Sequence, residues 1–245
     1  MIETKQADEG LLSLEQIERA AQFEGFEPAD FEVFEAPDFS ERMPRLKARI
    51  TPKLKLVAAA LNERMTETLG EVVYPHVALH LRRSVNPPVE TWAAFARNAR
   101  AYKPYVHLRA AISADKVRVL VFVEDYADEK ETFAINLARN ASALAAIFAH
   151  NPTIHAYDML DAEGKPRHGR TLDARTIRAF AERMKRVKGQ HARFGIAFAS
   201  THPVVANGPE LLDAVVEAAR QLRPLYDCGK PGYKVRSTPD PIALP

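Results

Sequence analysis

Residues 116–124, KVRVLVFVE, place Val117, Val119, Val121 and Val123 at alternate positions, and this run limits the fold more than any other stretch of the chain. β-Branched side chains lose rotamer freedom on a helix but pack well on a pleated surface, so the run reads as a strand. Alternation sends the four valines to one face and Lys116, Arg118, Leu120 and Phe122 to the other. Apolar residues on both faces predict a sheet covered on both sides for part of its length. The β-rich stretch 105–112 comes just before, and Ser113-Ala114-Asp115 supplies turn residues, so the two strands form a hairpin.

Helices are expected on either side of that hairpin. Ser13 and Gln16 form a capping box ahead of Leu14, Ile17 and Ala21, which predicts a short helix over 13–23. Asp38 with Glu41 opens another, with Phe39, Met43, Leu46 and Ile50 apolar and Pro44 kinking it. A break near Thr51 follows, after which Thr51 as N-cap and Pro52 begin a helix with Val57, Leu61, Met65 and Leu69 on one stripe and Gly70 closing it. Pro75 predicts one more helical turn, with His76 and His80 on a shared face, ended by Asn86-Pro87-Pro88.

Further along, 92–96 reads as a strand, 128–149 as one long helix and 153–157 as a strand. A turn-rich loop covers 161–169, and Thr171 caps a helix carrying Ile177, Phe180, Met184 and Val187. A strand at 192–199 and a helix from Gly208-Pro209 to Leu222 complete the pattern. Strands in hairpins and helices in flanking blocks give a single α+β domain with a mostly antiparallel central sheet. The expected divisions are an accessory segment at 1–27, the α+β domain at 28–227 and a Pro-rich tail at 228–245.

No apolar run approaches the roughly 18 residues that span a bilayer, and the acidic N-terminus does not resemble a signal peptide, so a cytoplasmic protein with no membrane partner is expected. Cys228 is the single cysteine, which excludes an intrachain disulfide or an all-cysteine zinc site. The chain contains no GxGxxG, GxxxxGK[ST] or GxSxG, so dinucleotide, P-loop and α/β-hydrolase chemistry have no support and no cofactor is expected.

Charge is unevenly spread. Residues 75–109 carry six Lys/Arg against one acid, Glu90, a local charge of +5 in a chain of net +2, with His76, His80 and His107 among them. Residues 1–41 hold twelve acids and two bases, while 165–193 hold ten bases and two acids, and these opposite blocks can match each other. Within 75–109, Arg82, Arg83, Arg100 and Lys103 have the donor chemistry for phosphate or carboxylate, and the NPP turn sets Asn86 beside them. The His76-x3-His80 spacing is one that zinc ligands use, with His107 as a conceivable third. Val77 and Ala78 replace the metalloprotease glutamate, however, and Arg82 and Arg83 repel a dication, so no metal is expected. His150, His155 and His168 fall in loops or at strand ends and read as solvated.

PHVALHLRRSVNPPVETWAAF followed by NARAYKPYVHL resembles the signature of the YktB-like family, a set of uncharacterised bacterial cytoplasmic proteins. His76, His80, Arg82, Arg83, Asn86, Pro87, Pro88, Thr91, Trp92, Asn98, Arg100, Tyr102, Lys103 and His107 fall in register with it. Weaker similarity extends from Asp30 to Asp227. The family's DHTKP-like stretch is only partly matched, since Ala162-Glu163-Gly164 precede Lys165-Pro166 and the histidine is missing. The resemblance implies one α+β domain and brings no activity.

Two functions stay open. In the first, His76, His80, Arg82, Arg83, Asn86, Arg100, Lys103 and His107 gather on one concave surface and bind a phosphate-bearing ligand. RNA or single-stranded nucleic acid is the favoured partner, with Trp92, Tyr102 or Tyr105 stacking on bases. In the second, the chain is a small-molecule enzyme that uses a histidine general acid or base (His76, His80 or His107) beside an arginine anion clamp, with a small phosphorylated ligand among the expected partners, and the aromatics are core.

Overall fold

The hairpin forms as expected in the computed structural model, which describes residues 23–81 and 84–235. Its strands are β3 (His107–Ser113) and β4 (Lys116–Val123), and both faces of β4 are buried, including all four valines, Leu120 and Phe122. The other strands are β1 (Tyr74–Val77), β2 (Glu90–Ala96), β5 (His155–Leu160), β6 (Pro166–His168) and β7 (Ala192–Ala199). Together they make one seven-stranded antiparallel sheet in the order β1-β2-β3-β4-β7-β5-β6, so the α+β class is what the structure shows. The helix expected over 13–23 lies, but for Phe23, outside the described residues, as do Arg82, Arg83 and the chain beyond 235.

The chain forms two units, and the first comprises Met1–Tyr102, Arg109–Arg118 and Phe198–Glu217. It contains α1 (Pro28–Phe31), α2 (Phe39–Arg45) and α3 (Thr51–Leu69). The break expected near Thr51 is instead a π-helical stretch, Leu46–Ile50, that joins α2 to α3 without a stop. Leu54, Val57, Leu61, Met65 and Leu69 are buried along α3, and Gly70, at φ 68°, closes it in the left-handed conformation that favours glycine. Later come α7 (Pro203–Ala206) and α8 (Gly208–Tyr226), whose first turns belong here. Acids of the N-terminal block pair nearby: the buried Asp30 carboxylate meets Arg49 and Lys53, each at 2.6 Å.

A helical turn at Pro75 is not formed. Residues 74–77 are β1, at the edge of the sheet, in antiparallel register with β2 (His76 opposite Ala94, Val77 opposite Ala93). An edge strand tolerates a proline whose missing N–H would break an interior ladder, and Tyr74 and Val77 suit a pleat better than a helix.

The second unit comprises Lys103–Leu108, Val119–Ala197 and Ala218–Pro245. Phe194 of β7 lies 6.1–6.5 Å, centroid to centroid, from Phe133, Phe148 and Phe180. Gly195 is required beside it, because a Cβ there would stand 2.1 Å from the Val119 carbonyl oxygen. The long helix expected over 128–149 is two, α4 (Lys130–Arg139) and α5 (Ala141–His150), bent by 78°. Asn140 sits at the bend with its amide turned to the distant segment 233–235. Helix α6 (Ala174–Arg186) is capped by Asp173, whose Oδ1 accepts from Thr176 N–H at 2.7 Å, whereas Thr171 donates its hydroxyl to the His168 carbonyl. No single described helix is long and apolar enough to cross a membrane.

Candidate functional site

The β1/β2 register decides which residues meet. Side chains alternate across a strand, so His76, opposite Ala94, lies on the face that Trp92 also occupies two residues away. Beyond β1 the Ala78 N–H still bonds to the Trp92 carbonyl at 3.0 Å, which carries His80 to the indole. His80 meets Trp92 edge-on with centroids 5.3 Å apart. It is the one non-glycine among the described residues with positive φ, 51°, a conformation costing on the order of 1 kcal/mol and concentrated at functional sites.

Trp92 Nε1–H donates to the Tyr102 hydroxyl at 3.2 Å, and the Tyr102 ring lies 5.3 Å from that of His76. Arg109, 2 % exposed, holds its guanidinium 4.1 Å from the Trp92 centroid and 5.7 Å from that of Tyr102. A desolvated guanidinium over an indole is stabilised by about 2 kcal/mol, so the rings form a rigid platform. His76 Nε2 is 2.9 Å from the Asn98 carbonyl; a carbonyl only accepts, so Nε2 carries the hydrogen and Nδ1 the lone pair. Burial lowers the His76 pKa below its ordinary 6.5 despite the opposing hydrogen bond to Asn98, so the ring is neutral at neutral pH.

Asn98 also fixes the next turn, its Oδ1 accepting from the Arg100 N–H at 2.8 Å and the Ala101 N–H at 3.2 Å. Arg100 is exposed, and so is Asn86. The segment's one acid, Glu90, is ion-paired with Arg118, while Glu71 lies 3.6 Å from Arg97. The NPP turn is tied down by Arg42, which donates to the Pro88 carbonyl at 3.1 Å.

Lys103 and His107 belong to the second unit. Lys103 is exposed. His107 is fully buried, its Nδ1 donating to the Tyr105 carbonyl at 2.8 Å and its ring stacked 5.7 Å from Phe122, so it is core rather than surface. Among the described residues one trio of metal-capable side chains, Glu124, Asp125 and His191, has ligand atoms within 4.8 Å of one another. His191 Nδ1 accepts the Asp125 N–H at 3.1 Å, which occupies that lone pair and leaves the proton on Nε2, so this arrangement presents no imidazole lone pair to an ion.

Two members of the platform were not among the sequence candidates. Asn98 was in register with the YktB-like signature, but nothing in its spacing marked it as the residue that fixes the Arg100 turn. Arg109 was visible only as one cation among six, and its stacking on Trp92 arises from pairing between strands.

A family described as "Domain of unknown function (DUF1054)" matches residues 26–226. UPF0637 protein ABC2405 of Shouchella clausii is 30% identical over 203 residues, covering 82% of this chain and 93% of that protein. UPF0637 protein OB1420 of Oceanobacillus iheyensis is 29% identical over 203 residues, covering 82% and 95%. UPF0637 protein SAS1041 of Staphylococcus aureus is 39% identical over 119 residues, covering 49% and 58%. All three come from bacteria, and they are the group that the sequence signature resembled.

Proposed function

Since the chain belongs to the DUF1054 family, whose description assigns no activity, we propose from the geometry that it binds a phosphate-bearing ligand beside the Trp92–Tyr102–Arg109 platform, in the cytoplasm. The Arg100 turn carries this reading: its backbone is fixed by Asn98, its side chain is exposed, and it stands two residues from Tyr102. A guanidinium meets phosphate through paired N–H donors, and a rigid support lowers the entropy cost of holding it there. Neutral His76, with its lone pair at Nδ1, supplies an acceptor for a ligand hydroxyl and is the candidate general base if the ligand is a substrate.

A nucleobase stacking on Trp92 would share the indole with Arg109 and His80, which favours a small phosphorylated ligand over a polymer. RNA or single-stranded nucleic acid is the second reading, supported by the exposure of Arg100 and Asn86 on the same unit.

A thermal-shift screen of phosphorylated and carboxylated metabolites, run beside a salt titration with labelled single-stranded RNA, separates the two. The favoured reading expects a saturable rise in Tm with phosphorylated compounds that Arg100→Ala removes. The polymer reading expects a slope of log K against log salt near about −0.7 for each phosphate contacted. If neither ligand binds, the proposal fails.

A further inference from the structure

We infer that helix α6 presents a basic face that binds the phosphate backbone of duplex DNA. The helix lies in the second unit, within the 165–193 block of ten bases and two acids, and the inference does not depend on the phosphate reading. Three acids of 23–41 that could have neutralised this block are spent inside the first unit. Glu27 and Asp30 pair with Arg49 and Lys53, and Glu41 pairs with Arg45. Within the block Arg193 is held by Asp158, while Lys185 and Arg186 share Glu182. Arg178 bonds the neutral Ser142 hydroxyl at 3.1 Å. Among the described residues Arg170, Arg178, Arg183 and Lys188 have no carboxylate partner, so their charge is open to a partner molecule.

The helix period lays these cations out in one row. Ile177, Phe180, Ala181 and Met184 bury the inner side of α6, which leaves Arg175, Arg178, Arg183 and Arg186 exposed on the outer side. At 3.6 residues per turn Arg175 and Arg186 run along the middle of that side, with Arg178 on one edge and Arg183 on the other. Arg170 before the helix and Lys188 after it, both exposed, extend the row. Helix stability alone does not explain the pattern. Arg183, Lys185 and Arg186 complement the dipole in the last turn, but Arg175 stands in the first turn, where the dipole favours acids and the helix has none. The capping carboxylate of Asp173 lies in the field of Arg175, yet its Oδ1 is taken by the Thr176 N–H.

The chemistry of the face selects the partner. Arginine predominates, and a guanidinium meets phosphate through paired N–H donors. No exposed aromatic side chain stands on α6 to receive an unstacked base, which favours a duplex, whose bases already stack on one another, over a single strand. The apolar side of the helix is used in the core, so it has nothing to bury in a bilayer. B-form DNA has a major groove about 12 Å wide that admits an α-helix between two rows of phosphates, whereas the A-form RNA groove is deep and narrow. Cations on both edges of α6 match two such rows.

Fluorescence anisotropy of a short labelled DNA duplex, titrated with the full chain over a range of salt, tests the face. Four cations without carboxylate partners give a slope of log K against log salt of about −3 to −4. The double variant Arg178→Gln, Arg183→Gln should weaken binding at least about tenfold at about 50 mM salt and flatten the slope by about 2, with the circular dichroism spectrum unchanged. Lys47→Gln with Lys55→Gln removes the same charge from exposed positions of the first unit and should bind as the wild type does. Glu182→Gln should bind more tightly, because it releases Lys185 and Arg186. A single strand of the same sequence, a duplex RNA and phosphatidylserine vesicles should each bind more weakly than the DNA duplex. No binding of the duplex, equal losses in the two double variants, no gain in Glu182→Gln, or any of the three other polyanions bound as tightly as the duplex would overturn the assignment.

Discussion

His76 ties the candidate site to solution conditions. Its pKa is lowered in the folded chain, first by desolvation, while the unfolded chain titrates near 6.5. Between those values the unfolded state binds more protons, so stability is full above about pH 6.5 and falls as the pH drops towards the folded value. Urea denaturation at pH 7.5 and pH 5.5 should show the wild type losing stability on acidification, and His76→Asn losing less. An equal loss in both would place the acid sensitivity elsewhere. Tyr102, Trp92 and His76 could be picked from the sequence because aromatic and imidazole groups among cations form a visible constellation. Arg109 could not, since its partner Trp92 is on another strand and only the sheet brings them together.

The elements misread from sequence share one cause, which is that distant contacts outweighed local pattern. Pro75 looked like a helix start, but pairing with β2 made 74–77 an edge strand. The apolar periodicity of 128–149 continues through Asn140 without proline or glycine, so a single helix was the local expectation. Asn140 Nδ2 instead donates to the Asn136 and Tyr233 carbonyls while its Oδ1 accepts the Val235 N–H at 2.9 Å, and the helix bends there. A polar side chain so engaged orders a segment nearly a hundred residues away. Asn140→Ala should cost about 1–3 kcal/mol through the groups left unpaired, read by chemical denaturation, and should hasten limited proteolysis near Tyr233. Unchanged protection there would show that the clamp is not what holds the segment.

For the chain as a whole, valine alternation and the blocks of helical periodicity were enough to give the α+β class and the central hairpin, since both depend on local pattern. The strand order and the grouping of ring and guanidinium depend on pairings between remote segments, which composition and spacing do not encode. Trp92 is the one tryptophan in the sequence, so emission excited in the indole band reports the platform alone. Titration with inorganic phosphate and small phosphorylated metabolites should give a saturable change in that emission that is lost in Arg100→Ala, whereas a short poly(U) strand should give none. An emission that stays constant while calorimetry detects binding, or no binding by either method, would contradict a phosphate site beside Trp92.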